Sequence, residues 1–228
     1  MGLDNQKINV AKKAVEFIED GMVVGIGSGS TVEFFIEELG KKIISDKINI
    51  TGVASSYKSH ILALKNGITM GDLFQYSEPD IYIDGADQID SQFNCIKGGG
   101  AALMREKILA DASKTFIVIA DTSKFVEKLN MPLPVEILPF AYGFVKRKIL
   151  EIGGKILLRE SSGKFGPVIS DNGNFIADCG FGIIDEPSMI EKELNSIPGL
   201  LENGIFRKEI VDIVIAGKED GAKILKIE

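Results

Sequence analysis

Cysteine, histidine and tryptophan are nearly absent from this chain of 228 residues. The two cysteines, Cys95 and Cys179, cannot form a disulfide framework, which is typical of proteins from a reducing cytoplasm. A single histidine, His60, excludes a metal site built from several histidines, and any Ser-His or Cys-His nucleophile would have to use it. We expect His60 to lie on a helix without a required role, and Cys95 to be a packing residue rather than a nucleophile.

Long hydrophobic segments are also missing. The longest apolar runs, such as "TFIVIA", are far too short to cross a bilayer, and the N-terminal segment lacks the apolar centre of a signal peptide. Gly2 does not begin a myristoylation motif, because position 6 is Gln. The formal net charge of −7 argues against non-specific binding to nucleic acid but does not exclude a small anionic ligand. We therefore expect a cytoplasmic protein with a small-molecule ligand and no nucleic-acid or membrane partner.

The first half of the chain alternates short apolar runs with amphipathic stretches. The predicted strands are "MVVGIG", "INITGVAS", "DIYIDGAD" and "TFIVIAD". The predicted helices are "INVAKKAVEFIED", "TVEFFIEELGKKI", "YKSHILALKNG" and "ALMREKILADAS". Strands that are apolar on both faces and separated by helices indicate an α/β fold with a doubly wound, Rossmann-like parallel sheet covered on both sides.

The pattern changes near "KLNMPLPVEILPF", where three prolines fall within eight residues. The following segment has the order β-α-β-β-α-β of a ferredoxin-like unit, and Asn172-Gly173 predicts a hairpin turn within it. The tail "IVDIVIAGKEDGAKILKI" returns to buried strand character and is expected to rejoin the first sheet. We predict a Rossmann-like catalytic domain from residues 1–130 and 206–228, and an inserted, smaller α+β domain, residues 131–205, that serves oligomerisation.

The segment "SGST" follows the first predicted strand, and ligands bind beyond the carboxyl ends of strands in an open α/β sheet. Gly29 lets backbone amides approach an anion, and a helix that begins near Thr31 directs further amides towards it. Ser28 and Ser30 add hydroxyl groups. The motif is neither a Walker loop nor a dinucleotide fingerprint, because Ser30 stands where a third glycine is needed. The alternative is a plain strand-to-helix turn with a capping hydroxyl.

Carboxylates follow the strand "DIYI" in the segment "DGADQID". Asp84 stands at the strand end, with Asp87 and Asp90 further along the chain. Carboxylates beside a glycine turn can bind Mg²⁺, hold sugar hydroxyls or cap a helix. Spacing alone does not decide among these three roles.

Three consecutive glycines, Gly98 to Gly100, follow Lys97 and precede a predicted helix. They could present bare amides to a ligand while Lys97 supplies positive charge. Glu106 lies in the helix behind them and can point back towards the loop, because helical side chains lean to the N-terminus. The alternative for Glu106 is a surface ion pair. Lys124, after the strand "TFIVIAD", is either another cation of the site or a solvated loop residue.

The segments "VGIGSGST", "YIDGADQID", "KGGGAALMREKIL", "IADTSKFVEKL" and "PLPVEILP", in this order, resemble ribose-5-phosphate isomerase type A. The resemblance extends along nearly the whole chain, including "ISDNGNFIAD" and "IPGLLENGIF". It implies interconversion of D-ribose 5-phosphate and D-ribulose 5-phosphate through an enediolate in the non-oxidative pentose phosphate pathway. It also implies that no metal and no cofactor is used, and that the chain forms a homodimer or a dimer of dimers.

The resemblance also implies a role for each matching residue. Glu106 would be the base that moves a proton between C1 and C2, Lys97 would support the oxyanion, and Asp84 and Asp87 would handle hydroxyls and ring opening. The implied substrate-binding residues are Lys7, Ser28, Gly29, Ser30, Thr31 and Lys124, and the bare amides of Gly98, Gly99 and Gly100 are predicted from the sequence to join them. Two departures are that Ser28 replaces a threonine of many relatives, and that "SSYKSH" differs from the usual small polar run.

Three other functions compete with this interpretation. A sugar-phosphate sensor would keep "GSGST" without needing Glu106 or Lys97, but would normally carry a helix-turn-helix. An acyl-CoA transferase of related architecture would use a glutamate as nucleophile. A Mg²⁺-dependent sugar enzyme would use Asp84, Asp87 and Asp90.

Overall fold

The computed structural model describes residues 2–163 and 165–226, which divide into two compact units. The first unit holds the described residues of Met1–Ala86, Arg105–Phe125 and Lys208–Glu228, and the second holds those of Asp87–Met104 and Val126–Arg207. Each unit has its own cluster of buried apolar side chains. Within these described ranges no helix is both long and apolar enough to cross a membrane.

A seven-stranded sheet forms the centre of the first unit. Its strands are β1 (Val23–Ile26), β2 (Thr51–Ala54), β3 (Thr69–Met70), β4 (Ile81–Asp84), β7 (Phe116–Asp121), β13 (Ile213–Lys218) and β14 (Gly221–Lys226). The spatial order is β14-β13-β7-β4-β1-β2-β3, and only β14 is antiparallel to its neighbour. This is the doubly wound order, which reverses between β1 and β4. The prediction of a Rossmann-like sheet that the tail rejoins is confirmed.

Four helices accompany this sheet in the chain. They are α1 (Gly2–Ala14), α2 (Ser30–Asp46), α3 (Tyr57–Lys65) and α4 (Leu103–Ala112). Helix α1 begins earlier than the pattern "INVAKKAVEFIED" predicts, because its first turns are anchored by a tertiary contact. The buried Gln6 side chain accepts hydrogen bonds from the N–H and the hydroxyl of Thr122, at 2.9 and 2.8 Å.

The second unit contains a four-stranded antiparallel sheet in the order β11-β8-β10-β9. Its elements are β8 (Leu133–Ile137), α5 (Tyr142–Glu151), β9 (Lys155–Leu158), β10 (Phe175–Gly180), α6 (Pro187–Asn195) and β11 (Leu200–Asn203). The order β-α-β-β-α-β, with the last strand beside the first, is the ferredoxin-like arrangement. The predicted α+β unit is therefore confirmed.

The domain boundaries differ from those predicted. Residues 87–104 belong to the second unit, although the sequence pattern assigned them to the first domain. The reason is a small three-stranded sheet formed by β5 (Gln88–Ile89), β6 (Cys95–Ile96) and β12 (Ile205–Phe206). Strands of two residues produce no readable periodicity, so this pairing could not be inferred from the sequence.

Both cysteines are free and buried. Burial raises the pKa of the Cys179 thiol to about 12, and the neighbouring charge of Asp178 adds to this increase. The Cys179 thiol is therefore protonated at neutral pH and is a poor nucleophile, since the thiolate is the reactive form.

A buried carboxylate organises the predicted hairpin turn at Asn172-Gly173. Glu136, on β8, is fully buried, and its Oε1 accepts hydrogen bonds from Ser170 Oγ at 2.7 Å, Asn172 Nδ2 at 3.0 Å and Asn174 Nδ2 at 2.8 Å. The turn itself closes through a bond from the Gly173 N–H to the Ser170 carbonyl, at 2.9 Å. One oxygen of Glu136 thus satisfies three donors of the turn.

We predict that Glu136→Ala lowers the free energy of unfolding by about 3 kcal/mol, because the buried Ser170 and Asn174 and the exposed Asn172 all lose their acceptor. Glu136→Gln keeps an acceptor at Oε1 and should cost less than half as much. Urea unfolding followed by circular dichroism measures both values. Equal stability of the alanine variant and the wild type would show that this network does not support the fold.

Candidate active site

The loop after β1 and the end of β4 meet at the point where the strand order of the first unit reverses. Ile26 is paired with Ile83 in the parallel register, so Gly27 stands beside Asp84. A Cβ atom built on Gly27 would lie 2.1 Å from Asp84 Oδ1. Only glycine fits at this position, and its absence of a side chain allows the two strand ends to approach.

Asp84 is completely buried and accepts three hydrogen bonds. Oδ1 accepts from the N–H of Ser28 at 2.9 Å and from the N–H of Gly85 at 2.7 Å, while the hydroxyl of Tyr82 donates to Oδ2. Burial raises the pKa of Tyr82 well above its usual value, and the charges of Asp84 and Glu106 raise it further. Tyr82 is therefore a permanent donor, and Asp84 is held in one orientation.

Four serine hydroxyls cluster next to this carboxylate. Ser28 Oγ lies 2.8 Å from Ser55 Oγ and 2.9 Å from Ser56 Oγ. The Ser59 hydroxyl donates to the Gly27 carbonyl at 2.6 Å. The segment "SSYKSH", which follows β2, thus contributes hydroxyls to the same strand ends as Ser28.

Lys7 reaches the start of α2. Its ammonium group donates to Ser30 Oγ at 3.0 Å, and Ser30 is the first residue of that helix. Gly29 caps the helix, and Thr31 is buried. A lysine and a helix N-terminus at one place are suited to an anion such as phosphate. Lys124 ends a short turn, Thr122–Lys124, directly after β7.

Glu106 lies in the first turn of α4 and is only 3% exposed. The alternative interpretation of Glu106 as a member of a surface ion pair is therefore wrong. Its charge contributes to the raised pKa of the buried Tyr82, so the carboxylate belongs to the same electrostatic environment as Asp84. A buried carboxylate in this environment is typical of a functional rather than a solvating residue.

In the second unit, Lys97 is a buried cation, with 2% of its surface exposed. The ammonium nitrogen of its side chain lies 5.2 Å from the centre of the Phe206 ring, and its backbone N–H donates to the Gly204 carbonyl at 2.9 Å. The residue is thus fixed in backbone and side chain. Buried lysines are rare because burial disfavours the charge, which makes Lys97 a strong functional candidate.

The glycine loop of the second unit is bound to Asp87. The N–H of Gly99 donates to Asp87 Oδ2 at 2.7 Å. A Cβ atom on Gly99 would lie 2.7 Å from Asp87 Oδ1, whereas one on Gly100 would meet nothing within 4 Å. Gly98 has a φ of +98°, which side chains rarely allow. The bare backbone at Gly99 is thus needed for its close contact with a carboxylate.

Asp90 has a different role from Asp84 and Asp87. It accepts hydrogen bonds from the N–H groups of Gln92 and Asn94, both at 2.8 Å, and thereby holds a turn. Throughout residues 2–163 and 165–226, no three His, Cys, Asp or Glu side chains are grouped to hold a metal ion. His60 lies on α3, as expected.

Comparison with known proteins decides the family. The family model for ribose 5-phosphate isomerase A (phosphoriboisomerase A) matches residues 51–221. Ribose-5-phosphate isomerase A of Archaeoglobus fulgidus is 55% identical over 96% of this chain and 98% of its own length, and that of Methanothermobacter thermautotrophicus is 48% identical over 97% and 98%. This chain belongs to the ribose 5-phosphate isomerase A family.

Solved structures agree with this assignment. Ribose 5-phosphate isomerase A from Methanocaldococcus jannaschii matches with a TM-score of 0.94 and 43% identity, over 98% of this chain and 99% of that one. A D-ribose-5-phosphate isomerase in complex with phospho-erythronic acid matches with a TM-score of 0.95 and 45% identity, over 99% and 100%. The family resemblance inferred from the sequence motifs is confirmed.

Sequence reasoning missed several residues that contact the candidate site residues of their own unit. Tyr82 was hidden inside an apolar strand. Ser55 and Ser59 lie in a segment whose role was left undefined, although its position after β2 was a usable signal. Arg159 contacts the carbonyls of Gly98 and Gly99, at 3.1 and 3.0 Å, from about sixty residues away, and no local pattern could reveal it.

We predict that Gly99→Ala lowers isomerase turnover at least about 100-fold, because the added methyl group must displace Asp87 or the loop. Gly143→Ala, on α5, is the matched control: it adds the same group at a glycine where a Cβ atom meets nothing within 4 Å, and it should retain most activity. Steady-state kinetics with ribose 5-phosphate compare the two variants. Equal activity of both would contradict the importance of the Gly99–Asp87 contact.

Proposed function

We propose that this chain interconverts D-ribose 5-phosphate and D-ribulose 5-phosphate. Family membership supports this reaction, and the buried Glu106 in the environment of Asp84 is the observation that supports its mechanism most directly. The isomerisation moves one proton between adjacent carbons. One carboxylate can remove that proton and return it, so no covalent nucleophile is required.

In our proposal, Glu106 removes the proton from C2 of the open-chain aldose, and the C1 carbonyl oxygen becomes the negative oxygen of an enediolate. The same carboxyl group then returns the proton to C1, and the proton of the C2 hydroxyl passes to the negative C1 oxygen, so that C2 becomes the carbonyl and C1 carries a hydroxyl. General acid–base catalysis of this kind contributes about 10²- to 10⁴-fold. We assign Lys97 to the negative oxygen, where a preorganised cation stabilises developing charge.

Lys7, Ser30 and the N-terminal amides of α2 are assigned to the substrate phosphate. The lysine–serine contact of 3.0 Å at the helix start supports this assignment. Ser28, Gly29, Thr31 and Lys124 are assigned to the same substrate. The related isomerase bound to phospho-erythronic acid is consistent with a phosphorylated polyhydroxy ligand, whose carboxylate has two oxygens like an enediolate.

Asp84 and Asp87 are assigned to the sugar hydroxyls and to opening of the furanose ring. Both are fixed by backbone N–H donors, Asp84 by Ser28 and Gly85 and Asp87 by Gly99. A carboxylate held in one orientation can accept a hydroxyl proton without first reorganising. The glycine loop, Gly98 to Gly100, is assigned to backbone contacts with the sugar.

We further propose that the reaction uses no metal or cofactor and belongs to the non-oxidative pentose phosphate pathway in the cytoplasm. We also propose that the chain forms a homodimer or a dimer of dimers through its second unit. Large apolar side chains of that unit support this, since Phe140 is 97% exposed and Leu157, on the edge strand β9, is 75% exposed.

The decisive experiment measures ribulose 5-phosphate formation from ribose 5-phosphate in excess EDTA. We expect wild-type turnover to persist and Glu106→Gln to lower kcat by about 10³-fold or more with little change in KM, because the amide cannot accept the proton. Asp111→Asn, which neutralises an exposed carboxylate on the same helix, is the control and should behave as wild type.

Other outcomes would redirect the proposal. An inactive wild type would favour the sensor or the acyl-CoA transferase, and hydroxylamine sensitivity in the presence of acyl-CoA would select the transferase. Loss of wild-type activity in EDTA would favour the Mg²⁺-dependent enzyme. Full activity of Glu106→Gln would move the base elsewhere, with Asp84 and Asp87 next in line.

A further inference from the structure

Arg159 directly follows β9 in the second unit and forms a forked ion pair. Its Nε donates to Asp178 Oδ2 at 2.9 Å and its Nη2 donates to Asp178 Oδ1 at 2.5 Å. The two side chains are only 18% and 30% exposed. The Arg159 backbone is also held on both sides, since its N–H donates to the Ile176 carbonyl and its carbonyl accepts from Val168. This guanidinium group therefore has one defined position.

The remaining nitrogen of the fork contacts the glycine loop. Arg159 Nη1 donates to the carbonyl of Gly98 at 3.1 Å and to that of Gly99 at 3.0 Å. On its other side the loop is bound to Asp87, which accepts the Gly99 N–H at 2.7 Å. The peptide group that joins Gly98 to Gly99 is thus hydrogen-bonded at both ends: its oxygen to Arg159 and its N–H to Asp87.

These contacts form one continuous chain. Asp178 holds Arg159, Arg159 donates to the Gly98 carbonyl, and the N–H of the same peptide group donates to Asp87. A positive charge on a peptide oxygen polarises that peptide, so its N–H becomes a stronger donor. Arg159 is therefore placed to strengthen the bond that orients Asp87.

We propose that Arg159, held by Asp178, is a positioning residue that fixes the glycine loop and, through it, Asp87 for the isomerisation. Exposed ion pairs such as that of Arg147 and Glu151 on α5 contribute little to stability. Arg159 differs because its guanidinium group also donates to the backbone carbonyls of Gly98 and Gly99, in the loop assigned to substrate binding. The expected effect of Arg159 on kcat rests on the proposed function. Its expected effect on the position of the glycine loop does not.

The kinetic test compares Arg159→Ala with Arg147→Ala, which removes an exposed arginine on α5 of the same unit. We expect Arg159→Ala to lower kcat by about 10- to 100-fold with KM changed less than about threefold, because displaced groups act mainly in the transition state. Added guanidinium chloride at millimolar concentration should restore part of kcat, since Asp178 still offers its fork. Arg147→Ala should show neither effect.

Hydrogen exchange of the peptide covering residues 97–103 tests the same inference without any substrate. Exchange should become faster in Arg159→Ala and stay unchanged in Arg147→Ala. Unchanged exchange, or an Arg159→Ala enzyme with wild-type kcat, would overturn the inference. A kcat loss that guanidinium does not restore, together with a lower melting temperature, would also overturn it in favour of a purely structural ion pair. An inactive wild type would reject the proposed function, while the exchange result would still decide the role of Arg159.

Discussion

The first unit depends on one buried carboxylate, that of Asp84. Its oxygens bind the N–H of Ser28 after β1, the N–H of Gly85 after β4 and the hydroxyl of Tyr82. A buried charge is tolerated only when hydrogen bonds replace its hydration, and here three donors do so. The same bonds tie together two neighbouring strand ends at the reversal of the sheet order, where an open α/β sheet forms its crevice. Gly27 is the sequence feature that permits this contact.

Three of the residues assigned to chemistry are buried charges, although burial alone does not define them, because Glu136 is equally buried and holds a turn. Asp84, Lys97 and Glu106 are at most 3% exposed, whereas Arg147 and Glu151 form an exposed pair. Burying ionised groups lowers stability, and a fold keeps them where their field is useful. The acidic net charge of the chain is no obstacle to an anionic substrate, because the positive groups and helix amides act locally.

Sequence reasoning predicted the strongly periodic elements and the family, and it missed contacts made over long distances in the chain. The buried strand "FIVIAD" was predictable because its first five residues are apolar, and the tail strand β13 because it begins with the apolar run "IVIA". The two-residue strands β5, β6 and β12 were not predictable. Their pairing explains why residues 87–104 belong to the second unit. The motifs identified Glu106, but its burial required the structure. Arg159 could not be predicted because the loop it contacts is about sixty residues away in the chain. Tyr82 could not be predicted because it lies within an apolar strand.

In the proposed mechanism, Glu106 alone carries the proton between C1 and C2. The most direct test follows hydrogen exchange at C1 of ribulose 5-phosphate in D₂O by NMR. A single carboxylate serves one face of the enediolate, so the wild type should exchange one of the two C1 hydrogens and Glu106→Gln should exchange neither. Exchange of both hydrogens by the wild type, or an undiminished exchange rate in Glu106→Gln, would show that Glu106 is not the only base.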